Sequence, residues 1–256
     1  MSKLEIHQFE ALKDNYGYLV HEPSTGATAA IDTPEVAPIL KALDRKGWKL
    51  THILNTHHHF DHAGGNAELK EKTGCTIIGP RDEKDLIPGI DSAVGEGDIV
   101  ELGAARAHVI DVPGHTRGHI AYHFTDDHVV FVGDTLFALG CGRIFEGTAQ
   151  QMWTSLQKLM ALPDDTTVYC AHEYTQSNAR FALSVEPQNA ALVSRAKDID
   201  AKRTRGEWTV PTTIGIEKAT NPFLRAASRD LRATVGLVAA ADVDVFAETR
   251  ARKDKF

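Results

Sequence analysis

Apolar residues recur with two different periods along this chain. Leu4 to Phe9, Tyr16 to His21 and Ala27 to Ile31 are short apolar runs that predict strands, separated by the turn signals Asp14-Asn15 and Ser24-Thr25-Gly26. Val36, Ile39, Leu40 and Leu43 have helical spacing and predict a helix over Pro34 to Lys46, which Gly47 stops. A short buried strand at Ile53-Leu54, a helix from Asn66 to Lys72 and a strand from Thr76 to Ile78 follow. Further strands are predicted at Ile99 to Leu102, Ala107 to Val112, Ile120 to Phe124, Val129 to Val132 and Thr167 to Cys170, with an amphipathic helix over Ala149 to Leu162. Beyond Tyr174 the period becomes helical. Asn178 to Val185 and Ala190 to Arg205 predict helices broken at Glu186-Pro187, Pro211 to Glu217 a connector, and Asn221-Pro222-Phe223 a turn. Ser228 to Ala240 and Asp244 to Lys253 predict the last two helices. The change of period divides the chain into a strand-rich domain, 1–174, and a helical one, 175–256.

Several predicted strands end on side chains that bind metals. Ile53-Leu54 runs into His57, His58, His59, Asp61 and His62. His57 and His59, two apart on an extended segment, point the same way, and His58 points away from them. Val112-Pro113-Gly114 delivers His115, Val132-Gly133 delivers Asp134, and the strand at Thr167 to Cys170 is followed by His172. Loops at the ends of rigid strands are where a sheet scaffold carries a site. His57, His59, Asp61, His62, His115, Asp134 and His172 are too many for one tetrahedral ion and suit two, provided a carboxylate bridges, as Asp134 can. Imidazole and carboxylate donors fit Zn²⁺, and Fe and Mn are compatible with the same set. His7, His21, His52, His108, His123 and His128 have no such neighbours and read as structural or surface residues; His119 fits a packing role and a supporting role behind the ligands equally well.

Composition narrows the classes of function. Hydrophobic content of 42% and charged content of 25% are those of a soluble globular chain. The net charge of −7 argues against a nucleic-acid-binding surface. Three cysteines without CxxC spacing argue against a disulfide framework and for a reducing compartment. The charged start, Met-Ser-Lys-Leu-Glu, is unlike a signal peptide, and no apolar run reaches transmembrane length. The expectation is a cytoplasmic monomer with a small-molecule substrate and no nucleic-acid or membrane partner.

Thr56-His57-His58-His59-Phe60-Asp61-His62 resembles the His-x-His-x-Asp-His signature of the metallo-β-lactamase superfamily, and Pro113-Gly114-His115-Thr116, Gly133-Asp134-Thr135 and Ala171-His172-Glu173 follow in the order of its remaining ligands. Within it the chain most resembles the glyoxalase II (hydroxyacylglutathione hydrolase) family, nearly end to end. Asp14-Asn15-Tyr16, Gly140-Cys141-Gly142-Arg143 with Glu146-Gly147-Thr148, His172-Glu173-Tyr174, Asn221-Pro222-Phe223 and Arg250-Ala251-Arg252-Lys253-Asp254 carry that likeness. The resemblance implies an α+β fold, a metallo-β-lactamase-type αββα sandwich with a C-terminal helical domain. It implies one ion on His57, His59 and His115, a second on Asp61, His62 and His172, and Asp134 between them. It further implies that Arg143, Arg250, Lys253 and Tyr174 bind the glutathione part, whose carboxylates suit cationic forks. The family commonly has Lys where Arg143 stands. It often has Tyr where Phe145 stands, and loss of that hydroxyl removes a hydrogen bond worth about 1 kcal/mol.

The implied reaction is hydrolysis of S-D-lactoylglutathione and related 2-hydroxyacylglutathiones, the second step of methylglyoxal detoxification. A metal-bridging hydroxide held and oriented by Asp61 and Asp134 attacks the thioester carbonyl. The leaving thiolate, with a conjugate acid of pKa roughly 8.5, needs no protein acid. Three rivals share the ligand pattern. A single-iron glutathione-persulfide dioxygenase uses fewer of the ligands and generally lacks the helical extension. A β-lactamase needs an exported chain, and a phosphodiesterase or nuclease needs a phosphate-binding surface that the acidic balance disfavours. A non-catalytic, metal-stabilised binding module is the rival of a different class. Its structural zinc would be expected in a closed, Cys-rich site, and no Cys is among these ligands.

Overall fold

The computed structural model describes residues 3–256. The chain forms two compact units, one made of Met1–Asp111 with Thr116–Gly133 and the other of Val112–His115 with Asp134–Phe256.

The first unit carries β1 (Glu5–Ala11), β2 (Asn15–Glu22), β3 (Ala27–Ile31), α1 (Val36–Lys46), β4 (His52–Leu54), α2 (Phe60–Ala63), α3 (Asn66–Thr73), β5 (Thr76–Pro80) and β6 (Ser92–Val94). Strands β1 to β6 pair in sequence order into one sheet. The pairing is antiparallel from β1 to β3 and parallel from β3 to β6. Parallel neighbours need crossovers, which α1 and the α2–α3 segment provide. Ile39, Ala42 and Leu43 of α1 join Leu19, Ile53, Leu69 and Ile77 in one buried core, each large side chain contributing about 1.5–3 kcal/mol of burial. An antiparallel meander follows: β7 (Ile99–Leu102), β8 (Ala105–Asp111), β9 (Ile120–Phe124) and β10 (Val129–Gly133). The two sheets of this unit meet face to face. The Tyr18 ring of β2 stands edge-on to Phe131 of β10 at 5.5 Å, and the Tyr122 hydroxyl of β9 donates to the Asn55 carbonyl at 2.9 Å. Every residue of β9 and β10 is buried, so both strands are held rigidly where they end.

The second unit contains the hairpin β11 (Leu136–Phe137) and β12 (Gly140–Cys141), α4 (Ala149–Met160), β13 (Thr167–Cys170), α5 (Thr175–Val185), α6 (Ala190–Thr204), β14 (Thr212–Thr213), α7 (Ile214–Thr220), α8 (Arg229–Val235) and α9 (Asp242–Lys255). A reciprocal Thr148–Gln151 capping box starts α4. Leu139, Ala179, Ala182, Leu192, Ala196 and Ile199 pack between α5 and α6. The polar centre of this unit is Glu217, fully buried on α7. Its carboxylate accepts from the Leu139 N–H at 2.9 Å, Thr212 Oγ1 at 2.7 Å and Asn221 Nδ2 at 3.0 Å, and pairs with Arg195. Asn221 Nδ2 in turn reaches the carbonyls of Phe137 and Gly140, which fixes the β11–β12 hairpin.

The structure corrects the sequence reading at several points. Pro211 to Glu217 is not a connector: Thr212–Thr213 pairs with β13, and the Thr213 hydroxyl accepts from the Ile216 N–H to start α7. The helix expected over Ser228 to Ala240 stops at Val235, because Gly236 takes the left-handed conformation (φ 79°) and its N–H turns back to Arg232 and Ala233. Helix α5 begins at Thr175 rather than Asn178, and α2, β6, β11 and β12 are two to four residues long, too short to show a period. Among the described residues no helix is long and apolar enough to cross a membrane.

Candidate active site

In the first unit the ligand-capable residues are held by the ends of β3 and β4. Asp32, just beyond β3, has a left-handed backbone (φ 58°), uncommon for a residue with a side chain. Its carboxylate accepts from the Thr56 N–H at 2.7 Å and Thr56 Oγ1 at 2.8 Å, and lies 2.8 Å from His62 Nδ1. With a carboxylate on Nδ1, the Nε2 lone pair of His62 is directed outward, the outer-shell arrangement typical of metal-binding histidines. His57 Nδ1 lies 3.0 Å from Thr56 Oγ1, and its Nε2 faces His59 Nδ1 at 3.1 Å. Two donors at about 2.0–2.1 Å from one tetrahedral ion stand roughly 3.3 Å apart, so the pair has ligand spacing. Asp61 Oδ2 is 3.7 Å from His62 Nε2 and accepts from Asn15 Nδ2 at 3.2 Å. His57 and His62 are buried, with ring centroids 4.0 Å apart.

Two more residues support this cluster. His119 stacks on His57 at 4.5 Å and 19°, so it backs a candidate ligand. Glu83, 3% exposed, accepts from the His58 and Gly118 N–H groups and faces His58 Nδ1, each at 2.8 Å, and so ties the His run to the segment before β9. Glu83 thereby holds the His58 ring, which nevertheless stays beside His59 with centroids 4.9 Å apart, so the expectation that His58 points away from both neighbours fails for His59. Asp32 and Glu83 were not legible as site residues: each is a single acid far along the chain from the residues it holds. Gly133 (φ 47°) closes the back, since a Cβ there would lie 2.5 Å from Thr56 Oγ1 and 2.7 Å from the His119 ring. Asp32→Ala is expected to weaken metal binding by roughly 10–100-fold, as loss of an outer-shell partner usually does; chelator competition measures it, and an unchanged affinity contradicts the role given to Asp32.

In the second unit His115, Asp134 and His172 come together. Asp134 Oδ2 lies 3.4 Å from His115 Nε2 and Oδ1 lies 3.4 Å from His172 Nε2, so one buried carboxylate turns a different oxygen to each imidazole. His115 Nδ1 is 2.8 Å from the Arg143 carbonyl, which leaves Nε2 as the donor. Gly142 permits this approach: a Cβ there would sit 2.0 Å from the Asp134 carbonyl oxygen. His172 is stacked on Tyr174 at 4.6 Å and 3°. All the donors are imidazole or carboxylate, the set that suits Zn²⁺, Fe and Mn.

A cavity of about 630 Å³ opens beside these three, lined by His115, Asp134, Arg143, Tyr174, Arg250 and Lys253 among others. Arg250 is 6% exposed, not a solvated tail residue. It donates to the Cys141 carbonyl at 2.9 Å, pairs with Asp254 at 2.9 Å and lies over the Phe223 ring. Lys253 Nζ donates to Ser177 O and Oγ, each at 3.3 Å. Burial, then the nearby Arg250 and Arg143 charges, bring its pKa down to about 8. Phe145 lines the same cavity, its ring 5.2 Å from His115, so the side chain without a hydroxyl stands next to a candidate ligand. Burial pushes the thiols of Cys141 and Cys170 up to about 11 and about 12, so neither supplies a thiolate nucleophile at neutral pH.

Two family models together cover most of the chain. The metallo-beta-lactamase superfamily matches residues 18–172, and the hydroxyacylglutathione hydrolase C-terminus matches residues 173–256. A hydroxyacylglutathione hydrolase of Methylococcus capsulatus is 57% identical over 99% of both chains, and one of Rhizobium meliloti is 56% identical over the whole of both. Among solved structures, ETHE1 from Myxococcus xanthus superposes with a TM-score of 0.67 at 27% identity, over 97% of this chain and 98% of that one. The α+β, metallo-β-lactamase-type fold with a helical C-terminal part is therefore the fold of this chain. The chain belongs to the hydroxyacylglutathione hydrolase family of the metallo-β-lactamase superfamily.

Proposed function

We propose that the chain hydrolyses S-D-lactoylglutathione and related 2-hydroxyacylglutathiones to the hydroxy acid and glutathione, with His57, His59, Asp61, His62, His115, Asp134 and His172 holding two divalent ions, Zn²⁺ foremost. The observation that carries this most is Asp134, whose two oxygens each face a different imidazole at 3.4 Å at the head of a cation-lined cavity. Ions bound there supply a hydroxide nucleophile near neutral pH and polarise the thioester carbonyl. The protein's own groups do the rest. Asn15 and Asp32 hold Asp61 and His62 in their orientations. Arg143, Arg250 and Lys253 offer the charge that a carboxylate-bearing tripeptide needs, and Tyr174 places a ring between His172 and the cavity. The departing thiolate is stable enough to leave unprotonated. We place the functional division at Tyr174, with the metal-binding part before it and the substrate-binding helices after it. Three free, buried thiols suit a reducing cytoplasm.

The test is turnover of S-D-lactoylglutathione without oxygen. Release of glutathione and D-lactate in equal amounts is expected. Inertness toward the thioester, with oxygen-dependent consumption of glutathione persulfide, would instead favour the dioxygenase.

The depressed pKa of Lys253 sets a pH dependence. The group is charged below about 8 and loses its charge as the pH rises through that value. KM for lactoylglutathione is therefore expected to climb between pH 7 and pH 9, and Lys253→Met to abolish the climb. A KM that is flat over this range in the unsubstituted enzyme contradicts a substrate-binding Lys253.

A further inference from the structure

Four cations line the cavity, and three of them gather at one place. Arg250 is anchored between the Cys141 carbonyl and Asp254. Lys253, three residues on along α9, and Arg143 line the same cavity as Arg250, and burial first, then these two charges, lower the proton affinity of Lys253. Such a cluster matches one carboxylate. The fourth cation, Arg180, lines the cavity from α5 and is exposed. It enters no ion pair or side-chain hydrogen bond among the described residues, so its planar fork is available for a ligand.

Resting on the thioester reading above, we infer that Arg180 binds the γ-glutamyl carboxylate of the substrate and makes the enzyme selective for the complete glutathione tripeptide. Charge supports this first. The glutathione part carries two carboxylates, and one cation cluster satisfies only one of them. Length supports it second. Tyr174, stacked on the candidate ligand His172, caps the start of α5, and Arg180 lies six positions further along. At a rise of 1.5 Å per residue that is about 9 Å along the helix. An extended chain covers about 3.3–3.6 Å per residue, and the γ-linkage adds a side chain's length, so the γ-glutamyl carboxylate lies roughly 9 Å from the sulfur. A thioester reacting at the Tyr174 end of the cavity thus brings its γ-glutamyl end level with Arg180. A bidentate guanidinium–carboxylate pair fits such a terminus better than a point charge does.

The test compares two substrates. One is S-D-lactoylglutathione; the other has 4-aminobutyryl in place of γ-glutamyl and lacks only that carboxylate. Arg180→Gln is expected to raise KM for the first by about tenfold, the effect of losing one charged hydrogen-bonding partner. It should leave KM for the analogue within twofold, and Arg180→Lys should recover part of the loss. A rise of equal size for both substrates, or no rise for either, overturns the assignment. An unsubstituted enzyme that hydrolyses neither compound overturns the thioester reading itself, which separates that failure from a failure of Arg180.

Discussion

Asp134→Ala is expected to remove metal and activity together. The side chain is buried, and its two oxygens face His115 and His172. On the proposed assignment its loss would strip a shared donor from both ions and remove negative charge that would balance them. The fall in hydrolysis should exceed the roughly 10–100-fold that follows loss of an outer-shell partner. Metal analysis of the purified variant should find fewer than two ions per chain. A variant that keeps two ions and its turnover would show that Asp134 does not bridge.

Glu217→Ala should have the largest effect on stability. The carboxylate is fully buried, pairs with the mostly buried Arg195 and accepts three further hydrogen bonds, from Leu139, Thr212 and Asn221. Removing one partner of a buried pair leaves the other charge uncompensated, at about 3–5 kcal/mol. For a chain of this size that corresponds to a fall in Tm of roughly 10 °C. Glu217→Gln keeps the acceptor oxygen and should fall less. A thermal unfolding curve for Glu217→Ala within two degrees or so of the unsubstituted protein would mean that Arg195 finds another partner at little cost. The centre at Glu217 also orients the β11–β12 hairpin through Asn221, and Cys141 of that hairpin receives the Arg250 guanidinium. The variant therefore links stability to the shape of the cavity.

The sequence was most legible where residues of one chemistry stand close together. His57, His59, Asp61 and His62 fall within six positions, and the 3.1 Å approach of His57 to His59 agrees with strand alternation, whereas the His58 ring, expected on the other side, lies 4.9 Å from that of His59. The strands feeding His115, Asp134 and His172 were legible from their apolar runs. Residues whose role depends on distant partners were not. Asp32 holds Thr56 and His62 from more than twenty positions away, and an Asp after an apolar run is also a common turn residue. Glu217 sits among Ile216 and Lys218 in a segment that reads as a connector, because the hydrogen bonds that bury it come from three other elements. A helix starting at Asn178 leaves Tyr174 and Ser177 outside it, so the wall that these two form with Arg180 emerges only with α5 starting at Thr175.

On the proposed assignment, hydrolysis depends on two ions held by one chain. Titrating metal-free protein with Zn²⁺ while following hydrolysis of S-D-lactoylglutathione tests it most directly. Activity that rises to a plateau at about two equivalents per chain, matching the ions counted in the loaded protein, is the predicted result. Full activity at one equivalent, or two bound ions with no thioester turnover, would contradict it.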